Sequence, residues 1–205
     1  MARRTPKNTG ILIATGVVSL ILVIGIVALT SSDSPLNNVI RVTALFGYLG
    51  VYLTCISSNY IAELTRAFGR SFMKLHHLVA AISLVALTIH AIGVAWNLQS
   101  LGAFLPDFSS VERFLLLGGR PSFWLLAVAS LTAVLRASVG QHWRTLHWLN
   151  YVAFWLGTAH ALMIGSSFHL VGLRVIAILM SVALVFLFVW KRTMKWRRRR
   201  KRAKK

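Results

Sequence analysis

Runs of about twenty apolar residues recur along this chain, each long enough for an α-helix to cross ~30 Å of hydrocarbon. Few folds can use such runs. A backbone in hydrocarbon must satisfy its own N–H and C=O groups, and a helix does so within one segment. Only 13% of the residues are charged, against about a quarter in an ordinary soluble domain. The expected fold class is therefore all-α integral membrane, and the length of the chain suggests one bundle.

Six spans are predicted, near residues 11–30, 39–57, 75–95, 122–135, 146–164 and 171–190. The breaks fall at residues 31–38, which include Pro35, around Pro106 and Asp107, and at residues 118–121. The first run stands behind Arg3, Arg4 and Lys7 like the start of a signal peptide. It is too long for a signal core and has no convincing small-residue cleavage site, so it reads as a retained helix. Three regions result: a cytoplasmic N-terminus at 1–10, a six-helix domain at 11–190 and a polybasic tail at 191–205.

Basic residues alternate between the two sides. Arg3, Arg4, Lys7, Arg66, Arg70, Lys74, Arg136, Arg144 and the tail fall on one side, while the other receives Arg113 and Arg120, with Arg41 and Arg174 near span ends. The richer side is cytoplasmic by the positive-inside rule, which puts both termini inside and makes the chain a multi-pass protein of the cell membrane. The net charge of +19 would suggest nucleic acid in a soluble protein. Directly after a membrane span, the tail instead suits anionic lipid headgroups, and no nucleic-acid partner is expected. Cys55 is the only cysteine, so an internal disulfide and a cysteine-based cluster are both excluded.

Four of the seven histidines form a pattern: His76 and His90 in the third span, His147 and His160 in the fifth. Odd-numbered spans run in the same direction, so His76 and His147 share an inner depth and His90 and His160 an outer one. Facing imidazoles at one depth are how haem iron is commonly held from both sides, and ionisable groups inside a membrane are functional candidates. Two levels roughly 20 Å apart follow from the rise of a helix. The fourteen-residue step from His76 to His90 returns to within ~40° of the same face, but the thirteen-residue step from His147 to His160 leaves ~140° on a straight helix. Overwinding or tilt is expected there, near Gly157.

His77 is the competing inner ligand, being adjacent to His76 and thirteen residues before His90. His142 reads as a solvated or headgroup residue, and His169 as a residue of an outer loop. Haem propionates are anionic, which makes Arg70, Lys74 and Arg144 candidate partners inside, and Arg41, Arg120 and Arg174 outside. Phe154, about two turns after His147, is expected midway between the levels.

The segments GRSFMKLHHLVAAISLVALTIH (69–90) and HWRTLHWLNYVAFWLGTAH (142–160) resemble the ferric-reductase-like transmembrane domain. That family includes the membrane cores of ferric reductases and NADPH oxidases, and the haem-binding subunit of the periplasmic methionine-sulfoxide reductase system. The resemblance covers spans two to six. It implies that His76 and His147 are axial ligands of an inner haem b and that His90 and His160 are those of an outer one. It favours His76 over His77 through the fourteen-residue step.

Large members of the family continue into a flavin- and nicotinamide-binding region. Here only fifteen residues follow Trp190, and no strand-borne GxGxxG is found; Gly118-Gly119-Arg120-Pro121 lacks its spacing. The expectation is an electron-transfer subunit of a membrane oxidoreductase. A separate flavin reductase, bringing its own flavin, or a quinol would donate electrons, and a redox partner or small acceptor would take them at the outer face. The alternative is a transporter or structural membrane anchor using histidines as proton or metal sites. Asp33, Glu63, Asp107 and Glu112, all in loops or near span ends, leave a proton-coupled transporter without its usual intramembrane carboxylates.

Overall fold

The computed structural model describes residues 34–68 and 71–203, together with positions 21 and 25. The first predicted span, at residues 11–30, lies outside the described residues apart from those two positions. Every regular element among the described residues is helical. They are α1 (Pro35–Ser58), α2 (Ile61–Phe68), α3 (Ser71–Asn97), α4 (Val111–Leu116), α5 (Gly119–Val134), α6 (Arg136–Val139), α7 (Trp143–Leu146), α8 (Leu149–Ile164) and α9 (Val171–Ala203), with short 3₁₀ turns between several of them.

α1, most of α3 and the first 24 residues of α9 are each long and apolar enough to cross a membrane. A fourth candidate is the pair formed by α5 and the segment Arg136–Leu146, which meet at an 85° bend. α8 is a shorter apolar helix of 16 residues, ~24 Å long. Among the described residues there are thus three to four candidate spans by length and composition.

Two expected breaks are helix starts. Ser34 caps α1, its hydroxyl accepting from the Asn37 N–H at 3.3 Å, and Pro35 occupies the first turn, where no N–H is needed. Likewise α5 begins at Gly119, so Arg120 and Pro121 belong to its first turn and not to a connecting break.

α1 and α3 are neighbours at close range. A Cβ on Gly47 would collide with the Leu87 side chain, one on Gly50 with Ser83 and one on Gly93 with Ile40. Small residues at such a seam let two backbones approach, the packing that stabilises helix pairs where no water is present to drive them together. The core lies between α1, α5, α8 and α9, centred on Leu49, Phe154 and Leu184, each 2% exposed or less. The outward faces are apolar: Leu78, Ile82, Val85 and Ile89 of α3 and Ile178, Leu179 and Val182 of α9 are exposed. That surface suits a hydrocarbon solvent.

Candidate functional site

All four predicted histidines face the interior of the helix bundle, and they do so as two pairs. His90 of α3 and His160 of α8 line one cavity of about 360 Å³. His76 of α3 and His147, in the turn between α7 and α8, line a second of about 50 Å³. Val51 and Leu126 border both cavities and so lie between the two levels.

In the larger cavity each ring is held from behind. His90 Nδ1 donates to the Ile40 carbonyl at 2.9 Å, and His160 Nδ1 donates to the Leu116 carbonyl at 2.8 Å. A carbonyl can only accept, so Nδ1 carries the proton and Nε2 keeps its lone pair. Anchoring one ring nitrogen while the other stays basic is the arrangement of a metal-ligating histidine. Gly119 makes room for the His160 ring, because a Cβ there would lie 2.8 Å from Cδ2 and 2.9 Å from Nε2.

The rest of the larger cavity is mostly apolar, with Leu45, Leu87, Phe123 and Phe154 among its walls, and two cations reach it. Arg41 Nε donates to Ser167 Oγ at 3.1 Å, and an Arg120 guanidinium nitrogen donates to the Leu105 carbonyl at 3.1 Å. These are two of the three cations expected at the outer level. Arg174 turns instead to the Leu162 carbonyl and is not among the lining residues.

The smaller cavity has Thr54, Ser58, Ser83, Ser130, Asn150 and Tyr151 beside its two histidines, among apolar walls that include Val51, Leu84 and Leu126. His76 is 9% exposed, and its Nδ1 meets Ser57 Oγ at 3.0 Å. Ser57 spends its own hydrogen on the Thr54 carbonyl, so His76 is the donor and Nε2 again keeps the lone pair. His147 is held less well: Nδ1 to the Ala129 carbonyl is 3.3 Å, and the Asn150 amide nitrogen approaches both ring nitrogens, at 3.2 and 3.4 Å. His77, the competitor of His76, is exposed and absent from the lining. Of the inner cations, Lys74 and Arg144 are exposed and line neither cavity, and Arg70 lies outside the described residues. His142 and His169 are exposed, as expected of loop residues.

The helical phase of the second pair is partly corrected by an irregularity at His147 and not near Gly157. Trp148 N–H bonds to the Thr145 carbonyl, Asn150 N–H to that of His147 and Tyr151 N–H to that of Trp148, all i to i−3. A 3₁₀ winding turns ~120° per residue in place of ~100°, so four such steps remove ~80° of the ~140° mismatch. Gly157 sits within a regular helix, where a Cβ would meet Ser122 Oγ at an ordinary 3.4 Å.

Phe154 is buried between the levels as expected, stacked on Tyr48 at 5.0 Å between centroids and 5.8 Å from Tyr52. Neither the two tyrosines nor Gly119 carries a sequence signal for this place, and the run Gly118-Gly119-Arg120-Pro121 lacks the spacing of a nucleotide-binding loop.

Each cavity offers two imidazole nitrogens, and among the described residues no group of three or more His, Cys, Asp or Glu is placed to hold a metal ion. A bare zinc or transition-metal ion takes four or more ligands from its surroundings. Haem iron needs only two, because the porphyrin supplies the other four. The outer cavity suits that group in ligand chemistry and in flanking cations, and it is much the roomier of the two. The inner cavity matches in its ligands but not in its size, which suits a few water molecules at about 10–15 Å³ each. No family model matches the chain, and no curated protein or solved structure is significantly similar to it.

Proposed function

We propose that this chain is a haem b-binding electron-transfer protein of the cell membrane, built on a six-span ferric-reductase-like bundle with both termini in the cytoplasm. It would take electrons from a separate flavin reductase or a quinol and release them to an acceptor at the outer face. One observation carries the reading: His90 and His160 line one mostly apolar cavity of about 360 Å³, each with Nδ1 committed to a backbone carbonyl and Nε2 free to ligate.

Bound there, haem would supply a carrier that accepts and donates one electron at a time. The protein's part is positional and electrostatic. His90 and His160 would hold the group through Nε2, made a stronger ligand by the donated Nδ1 proton. Arg41 and Arg120 would offset its carboxylate charge. The apolar walls exclude water, and Phe154 and Tyr48 fill the space toward the inner level with aromatic surface. The same reading proposes a second haem between His76 and His147, which share the inner cavity of about 50 Å³ and would have to part to admit it. The ligand assignment is tested by His90→Ala and His160→Ala, each expected to abolish the same haem signal in the purified protein; an unchanged spectrum in both variants contradicts it.

A further inference from the structure

α9 does not end where its apolar run ends. It continues as one helix from Val171 to Ala203, 33 residues or ~50 Å, and the part after Trp190 accounts for ~20 Å. A bilayer's headgroup layer is only about 5–8 Å deep on each side of the hydrocarbon, so most of the extension stands beyond it if the helix keeps its direction.

The root of the extension is tied to the bundle. Lys191 Nζ bonds Glu63 Oε1 at 3.1 Å and lies 4.2 Å over the Tyr60 ring, while the Arg192 guanidinium lies 3.6 Å over Trp148 and 5.1 Å over Phe188. Trp148 follows His147 directly, and Tyr60 is two residues beyond Ser58. The extension therefore rises beside the inner cavity.

A helix that rests on a membrane surface needs an apolar face to bury. This one has none. Nine of the thirteen residues from 191 to 203 are Lys or Arg, and at ~100° per residue they cover the whole circumference. The one large aromatic among them, Trp196, has the Arg200 guanidinium 3.8 Å over its ring.

The chain has too few carboxylates to neutralise this charge: of its four acidic residues, Asp33 lies outside the described residues, Asp107 and Glu112 lie before α5 at the opposite end of the bundle, and Glu63 is already used at the root. Like charges at i, i+4 oppose a helix, and only the last turn benefits from the helix dipole. The counter-charge must come from outside.

We infer that the extension of α9 beyond Trp190 is a docking column for the acidic face of a soluble protein. On the electron-transfer reading above, on which this identification rests, that protein is the cytoplasmic electron donor. Anionic lipid reaches only the root, whereas a soluble partner reaches the distal turns and is brought to the inner cavity. Steering by a concentrated single-sign field raises association rates and falls with salt.

The test uses the full chain in nanodiscs of zwitterionic lipid and in nanodiscs containing a quarter phosphatidylglycerol. A fluorophore on Ala203→Cys, in a chain whose buried Cys55 is replaced by Ser, reports exposure to acrylamide, and fluorescein-labelled poly-L-glutamate reports docking by anisotropy. The label should be quenched equally in both discs. Poly-glutamate affinity should differ by less than about threefold between them, and fall at least about tenfold at high salt or on combined Lys195→Gln, Arg197→Gln, Arg198→Gln and Arg199→Gln. Shielding of the label and loss of poly-glutamate binding in the anionic discs would assign the extension to lipid. An RNA or DNA oligonucleotide of equal charge displacing poly-glutamate at a tenth of its concentration or less, roughly, would assign it to nucleic acid; either result overturns the proposal. Neither readout uses haem. A normal b-type spectrum with a lipid-bound tail refutes the docking column alone, and a docking column on a protein without haem refutes the electron-transfer reading alone.

Discussion

Gly119→Ala adds one methyl group to the outer site at the point where it matters most. The new Cβ would lie 2.8 Å from His160 Cδ2, 2.9 Å from Nε2 and 3.2 Å from Cγ, so the ring has to move. It cannot move freely, because Nδ1 is held by the Leu116 carbonyl at 2.8 Å. Overpacking of this kind costs about 1–3 kcal/mol, and loss of the anchoring hydrogen bond costs a further ~1 kcal/mol. At about 1.4 kcal/mol per factor of ten, haem affinity at the outer site should fall roughly ten- to several-hundred-fold. Gly157→Ala is the control, since its Cβ meets only Ser122 Oγ at 3.4 Å. The assay is transfer of bound haem to excess apomyoglobin, with circular dichroism verifying that both variants retain their helices. Equal haem retention in Gly119→Ala and the parent chain would refute the placement of His160 Nε2 against Gly119.

Three further outcomes follow from the structure. His76→Ala should remove a buried ring and its bond to Ser57 and lower the thermal midpoint, whereas His77→Ala, at an exposed position, should leave it within about a degree; the reverse order would show that the wrong neighbour was chosen. A reporter fused after Lys205 should give a cytoplasmic signal and one inserted near Asp107 an external signal, and the opposite pair of signals would reverse the orientation. Asp107 is held at a pKa of about 2, below its ordinary 3.8, by hydrogen bonds from Ser109 and then by Arg113. A depressed carboxylate contributes stability above its unfolded pKa and loses it as pH falls through the folded one, so protection of the Ser109 amide against hydrogen exchange should hold above pH 4 and fade toward pH 2. Constant protection across that range would contradict the contact.

The helical character of the chain and the pairing of its four histidines by depth were legible in the sequence, because apolar length and residue spacing report depth along a helix directly. Rotation about the axis was not. The ~140° mismatch between His147 and His160 is partly removed by a local 3₁₀ turn, and nothing in the run Leu146-His147-Trp148-Leu149 marks where the winding tightens. The short α8 and the 85° bend after α5 are similar cases, since the hydrophobic pattern does not mark where the helix stops or turns. Pro35 and Pro121 read as breakers because the sequence alone does not say on which side of a proline a helix begins. Gly119 was missed because its importance lies in a missing side chain opposite a ring forty-one residues later, a relation with no local signal. The different sizes of the two cavities were equally hidden, since the histidine spacings that place the pairs say nothing about the volume between them.

The haem assignment is tested most directly by a reduced-minus-oxidised visible spectrum of the purified full chain, expressed with haem available. A b-type difference spectrum, with haem that is extracted intact by acidified solvent, is the expected result: Nε2 of His90 and His160 ligates non-covalently, and Cys55, the only cysteine, cannot form an attachment motif. No difference signal after haem-replete expression, or haem that stays covalently attached, would contradict it.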